Sequence, residues 1–173
     1  LITSSAASDV YKRQTQLNDA NTALEWVRAN ASKLEIDTER ISVAGDSAGG
    51  NLTAVLCLKR RDSGEWLPKA QLMVYPFIDY TFSHPSIEEL GEGHIITKTH
   101  LEWFKSNLLQ DESLEKEPYV SPLFAPNLTG LPPAIVITAG FDLVRDEAKA
   151  YADRLSEDCL LYTSPSPRDD ELS

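Results

Sequence analysis

Cysteine is scarce in this chain, which has only Cys57 and Cys159, and two such residues build neither a disulfide framework nor a metal cluster. Cys57 lies in an apolar helical stretch and reads as a small buried hydrophobe. Basic residues are also few: 16 Lys and Arg stand against 27 Asp and Glu, a net charge of −11 with a pI of about 4.6. No basic footprint points to nucleic acid or to an anionic membrane, and the acidity reads as a solvated surface. No apolar run approaches the ~20 residues that a membrane-spanning helix needs. Internal repeats are lacking too. What remains is ordinary: 42% hydrophobic and 25% charged over 173 residues, enough for one domain and one core.

The two ends are set aside before any fold reasoning. The head from Ser4 to Gln14 and the tail from Cys159 to Asp169 resemble a translated sequencing adapter. Asp9 to Gln14 can be encoded as GAT GTG TAT AAG AGA CAG. The reverse complement, shifted by one frame, reads TGT CTC TTA TAC ACA TC, which translates to the run Cys159 to Ser164. Residues 1–14 and 159–173 are therefore expected to be adapter-derived, leaving 15–158 as a segment cut from a longer gene.

Within that segment, Ala20, Ala23, Leu24, Val27 and Ala31 recur at helical spacing and predict a helix over Asn18 to Leu34. Ile41 to Ala44 reads as a strand ending at glycine, followed at once by a helix from Ala48 to Arg61 that stops at Asp62-Ser63-Gly64. A second strand, Ala70 to Tyr75, is stopped by Pro76. Residues 79–126 contain no clean strand and one helix, Lys98 to Leu109, N-capped by Thr97. Ala134 to Ala139 is the most apolar strand. The last helix runs from Arg145 to Ser156, where Asp146 and Glu147 suit the positive end of the helix dipole. Strands apolar on both faces, alternating with helices, predict an α/β fold with a parallel sheet covered on both sides.

One motif carries chemistry. Gly45-Asp46-Ser47-Ala48-Gly49-Gly50 contains the pattern G-x-S-x-G, which alone arises by chance in roughly one chain of this length in twenty. Its position between a strand and a helix makes it specific. A serine at the tip of so tight a turn adopts strained backbone angles, and its neighbours two residues away must be small, hence Gly45 and Gly49. The turn lifts the Ser47 hydroxyl above the sheet edge and sets the Ala48 N–H at a helix N-terminus, where it can stabilise an oxyanion. Asp142 lies just past a parallel strand and so points to the same sheet edge. Asp146 is another acidic side chain just past that strand, better explained by its place in the first helical turn.

The elbow is followed in order by Leu72-Met73-Val74-Tyr75-Pro76, Ser121-Pro122-Leu123, Leu131-Pro132-Pro133 and Phe141-Asp142-Leu143-Val144-Arg145-Asp146-Glu147. This series resembles the hormone-sensitive-lipase-like esterases of the α/β-hydrolase superfamily over nearly all of residues 15–158. The resemblance implies a serine carboxylesterase acting on small-molecule esters of short to medium chain, without cofactor or metal. Ser47 would be the nucleophile, Asp142 the triad acid, and Gly45, Asp46, Gly49 and Gly50 the elbow, with Asp46 hydrogen-bonding locally to shape the turn. Residues 79–126 would be the excursion that roofs the acyl pocket, with Trp103, Phe104 and Phe82 as wall residues, although ordinary packing is the better reading for any one of them.

The family's triad runs serine, acid, histidine. His84, His94 and His100 all precede Asp142 and read as loop or surface residues, so the triad histidine is expected to be absent from this chain. By the same resemblance, the upstream oxyanion segment, the early strands and the last strand are expected to be absent from this chain as well. The fold expected is thus a partial α/β-hydrolase, and the fragment itself is expected to be inactive. A ligand-binding receptor that keeps the pocket and loses the histidine, or a peptidase or amidase of the same superfamily, are the alternatives. The sequons at Asn30, Asn51 and Asn127 carry no localisation, a cytoplasmic setting being only the default, and oligomeric state is left open.

Overall fold

The computed structural model describes residues 12–109, 111–158 and 160–163. The rest of the adapter-like head and tail, Cys159 included, lies outside the described residues. Among the described residues, six α-helices and four strands follow one another: α1 (Lys12–Ala29), α2 (Ala31–Leu34), β1 (Val43–Asp46), α3 (Ala48–Asp62), β2 (Gln71–Val74), α4 (Ser86–Glu89), α5 (Lys98–Leu108), β3 (Ala134–Ile137), α6 (Arg145–Glu157) and β4 (Leu161–Thr163).

The sheet is parallel throughout, in the order β1-β2-β3-β4. The sequence pattern predicts helices on both faces. Among the described residues, the helices that pack on the sheet, α3 on β1 and β2 and α6 on β3 and β4, share one face. Strand order explains this: a sheet that always grows in the same direction through right-handed crossovers places every crossover on one side. That face carries Met73, Ala134 and Val136, fully buried against Ala54, Cys57 and Leu58 of α3 and Tyr151, Ala152 and Leu155 of α6. Burial pushes the Cys57 thiol up to about 12, as suits an inert core residue. The opposite face, with Leu72, Val74, Ile135 and Ile137, is only half-buried.

Element bounds differ from the sequence reading where a single residue intervenes. The first helix breaks at Asn30, which leaves helical geometry at φ −101° and ψ 14° while its backbone and side-chain amides both donate to the Trp26 carbonyl. β1 starts two residues late and runs through Gly45, so that glycine serves packing rather than termination. β2 ends at Val74 because Tyr75 takes a positive φ of 37°. The Lys98 helix forms with its Thr97 cap completed by His100 in a reciprocal capping box. Pieces of both adapter-like segments enter the fold: α1 begins at Lys12, and β4 pairs with β3, since an open strand edge accepts any β-prone run of suitable length.

Candidate active site

The site grows from the junction of β1 and α3. Ser47 bridges them at φ 51° and ψ −118°, a backbone conformation that costs a non-glycine residue energy. The end of β2, the loop after it and the first turn of α3 hold it there: the Ser47 N–H donates to the Val74 carbonyl at 2.9 Å, and the Ser47 carbonyl accepts from Phe77 N–H at 3.2 Å and Asn51 N–H at 3.2 Å. The Ala48 N–H opens the first turn of α3, where amides have no intrahelical acceptor. Asn51, one turn on, donates its side-chain amide to the carbonyls of Phe77 (2.7 Å) and Val120 (2.9 Å). That side chain is half-buried and committed, so its sequon is structural.

The glycines sort differently from expectation. A Cβ on Gly45 would lie 2.2 Å from the Gly49 carbonyl oxygen, and one on Gly50 would lie 2.7 Å from Pro76 Cβ. A Cβ on Gly49 would meet nothing closer than an Asp46 carboxylate oxygen at 3.9 Å. The close approaches thus fall on Gly45 and Gly50, because the start of α3 leans its Gly50 side on the β2 exit while Gly49 faces the cavity. Asp46 is exposed and makes no side-chain hydrogen bond among the described residues, contrary to the local bond expected of it.

Ser47, Ala48 and Gly49 line a cavity of about 560 Å3, walled by apolar side chains that include Leu52, Val55, Phe77, Leu101 and Phe104, with Tyr80 and Tyr119 adding hydroxyl-bearing rings. Phe104 is in the wall as expected. Trp103 is 62% exposed on the outside of α5, and Phe82 stacks on Phe77 at 6.0 Å with the Lys105 ammonium 4.9 Å from its ring centre; neither lines the cavity. The excursion supplies the roof through α5, Ile96 and Tyr119, and α1 closes one side with Gln16 and Leu17.

Asp142 sits beyond the carboxyl end of β3, two strands across from Ser47 in a parallel sheet, hence at the same edge. Its Oδ1 accepts from the Val144 N–H at 3.0 Å, and its carbonyl accepts from the Arg145 N–H at 3.0 Å, which locks the loop. Burial raises its proton affinity above the usual carboxylate value, and the Val144 hydrogen bond partly offsets this. Asp146 is fully engaged, with Arg145 on Oδ1 (2.8 Å) and the Ser86 N–H on Oδ2 (3.0 Å), and its proton affinity is lowered chiefly by Arg145.

The histidines lie elsewhere. His84 stands 3.8 Å from the buried Asp79, His94 stacks on the exposed Phe141 ring, and His100 belongs to the α5 cap. Among the described residues no group of three His, Cys, Asp or Glu is arranged to hold a metal ion, and no helix is long and apolar enough to cross a membrane.

Sequence reasoning passed over Glu147, assigning it to the helix dipole. It is fully buried, and its Oε1 accepts from the Ile78 N–H (2.6 Å) and the Asp79 N–H (3.1 Å). The signal was present: Glu147, Tyr151 and Leu155 recur at i, i+4 and i+8, placing the glutamate on the apolar stripe of α6.

Comparison with known proteins shows the family of the chain. The family model for the alpha/beta hydrolase fold matches residues 11–159, and the chain belongs to that family. Its relatives lie on the hormone-sensitive-lipase-like esterase side of the family. The chain is 39% identical over 145 residues to the carboxylic ester hydrolase LipN of Mycobacterium tuberculosis, covering 80% of this chain and 39% of that protein. An arylesterase of Saccharolobus solfataricus is 38% identical, with 85% and 48% covered. Among solved structures, a thermostable esterase from Pseudomonas putida superposes with a TM-score of 0.82 at 37% identity, covering 87% of this chain and 48% of that one. The hyperthermophilic esterase of Pyrobaculum calidifontis superposes equally well, at 39% identity with 87% and 49% covered. The chain spans half or less of the length of these relatives.

Proposed function

We propose that the protein containing this segment hydrolyses carboxylic esters of short to medium chain through an acyl-enzyme on Ser47, with residues 15–158 as the native part. The observation that carries the reading is Ser47 itself, held at φ 51° between β1 and α3 and opening into an apolar cavity of about 560 Å3. That volume falls within the roughly 300–1,000 Å3 of small-molecule sites. Ser47 Oγ adds to the ester carbonyl as its proton passes to a histidine base. The Ala48 N–H stabilises the oxyanion, and the alcohol leaves with that proton. Water then repeats the sequence and releases the acid. Asp142 orients the histidine and stabilises its charged form.

The base comes from outside residues 15–158, so the chain as it stands is inactive: without a general base Ser47 is not activated, and losing one triad member removes most of the rate advantage. The test is to recover the uninterrupted gene and assay its product on p-nitrophenyl esters from acetyl to decanoyl, beside matched amides. Ester turnover that Ser47→Ala abolishes is the expected result. A downstream residue other than histidine, with ligand binding and no turnover, overturns the reading in favour of a receptor, and faster amide cleavage overturns it in favour of an amidase.

A further inference from the structure

β2 lies between β1 and β3, so the loop that leaves β2 runs between the Ser47 turn and the Asp142 loop. Each amide of its residues 77–80 is taken. Phe77 N–H donates to the Ser47 carbonyl, Ile78 and Asp79 N–H to Glu147 Oε1, and Tyr80 N–H to Ser121 Oγ at 2.9 Å. Glu147 belongs to the first turn of α6, which follows directly from the residues that Asp142 locks. A continuous path therefore joins the two proposed catalytic groups: Ser47 carbonyl, Phe77, Ile78, Glu147, Asp142 loop. On the far side, Ser86 donates to the Leu143 carbonyl and to Asp146, which fixes the same loop to α4.

We propose that Glu147 is a positioning residue that sets the placement of the Asp142 loop against the Ser47 turn, by receiving both the Ile78 and Asp79 amides on one oxygen. This rests on the esterase reading above. The groups facing Glu147 are Asp79 and Tyr80 from the loop after β2, with His84 behind Asp79, and Asp142 from its own side. Burial holds the Glu147 carboxyl well above the usual glutamate range; the two amides pull it down, and the Asp79 and Asp142 carboxylates push it up. Its Oε2 is buried without a partner among the described residues. Glutamine offers a side-chain carbonyl oxygen of the same reach to the two amides, whereas alanine removes the acceptor and aspartate falls one methylene short of it.

The experiment uses the product of the uninterrupted gene, with Ser47 sites counted by a phosphonate that labels the serine and kcat expressed per labelled site. Glu147→Gln is expected to stay within about 3-fold of the parent, and Glu147→Ala to lose about 10- to 100-fold in kcat with KM within about 3-fold, since a misplacement near 1 Å can cost that much. A residue that only holds the fold would lower the number of labelled sites and leave kcat per site unchanged, which overturns the proposal. Glu147→Gln falling as far as Glu147→Ala also overturns it. Should Glu147→Ala fail to fold, Glu147→Asp takes its place, with the same loss expected and parental kcat per site overturning.

Amide hydrogen exchange supplies a readout independent of turnover. Glu147→Gln is expected to keep protection at Ile78 and Asp79, and Glu147→Ala to lose it there and at Val144 while α3 stays protected; uniform loss overturns the proposal. If the parent neither turns over esters nor takes the phosphonate, the esterase reading fails, and the exchange result alone decides the role of Glu147.

Discussion

The carbonyl oxygen of Gly49 stands 2.2 Å from the point where a Cβ on Gly45 would lie, so the last residues of β1 and the first turn of α3 touch backbone to backbone. Gly45→Ala is expected to cost about 1–3 kcal/mol, because neither backbone can retreat without moving its element. Gly49→Ala, with nothing within 3.9 Å of its new methyl other than Asp46, is expected to be neutral or to stabilise by about 0.5–1 kcal/mol as a glycine leaves a helix. Urea unfolding of the two variants reads the contrast directly, and equal costs would refute it.

Ser47 carries strain that a glycine would not. Relief of about 1–3 kcal/mol exceeds the roughly 0.4–1 kcal/mol lost to the freer unfolded chain. Ser47→Gly is therefore expected to raise the melting temperature, while Ser47→Ala, which keeps the Cβ, leaves it near the parent. The same two variants lose phosphonate labelling in the product of the uninterrupted gene.

Glu147 and Asp142 both bind their protons more tightly in the folded state than their ordinary values of 4.5 and 3.8, chiefly through burial. The folded state then holds more protons than the unfolded one above those values. The Glu147 contribution to stability is fully present below pH 4.5 and is lost as pH rises through its raised folded value; that of Asp142 begins to decline above 3.8. Asp146, lowered by Arg145, acts in the opposite sense, losing stability as pH falls, but it is partly exposed and screened. Glu147→Gln should remove the larger slope. Its melting temperature relative to the parent is expected to climb as pH is raised from acid to neutral; a pH-independent difference would contradict this.

Asn51 donates to two carbonyls from two loops, and a carboxylate there would face both with no hydrogen to give. Asn51→Asp is expected to cost about 2–4 kcal/mol, from two lost hydrogen bonds and two carbonyls left facing a like partial charge. Asn51→Ser, which can still serve one carbonyl, should cost less. Thermal melts of both variants rank them.

Much of the architecture was legible in local chemistry. Apolar runs bounded by Pro76 and by Asp62-Ser63-Gly64 marked β2 and the end of α3, and Thr97 marked the start of α5, because each signal acts within a few residues of itself. Glu147 was misassigned for the same reason. A glutamate in a first helical turn has a good local explanation, and only its burial against the Ile78 and Asp79 amides, 69 and 68 residues away in sequence, reveals another. Trp103 and Phe82 differ from Phe104 only in the direction in which α5 and its neighbours point them, which composition does not encode.

The sequence by itself determined that a serine would stand at a glycine-flanked strand-to-helix turn, since sterics at that turn admit few residue types and the strand and helix patterns lie on either side of it. It also placed Asp142 at the same sheet edge, because parallel strands share one carboxyl end. Tertiary structure decided which glycines are irreplaceable, Gly45 and Gly50, because that depends on how closely β1, α3 and Pro76 approach. It decided as well that α3 and α6 share one face of the sheet, which follows from strand order rather than from any strand's own residues. The seat of the buried Glu147 was equally a matter of packing, since a buried hydrogen bond has no partner until distant elements meet.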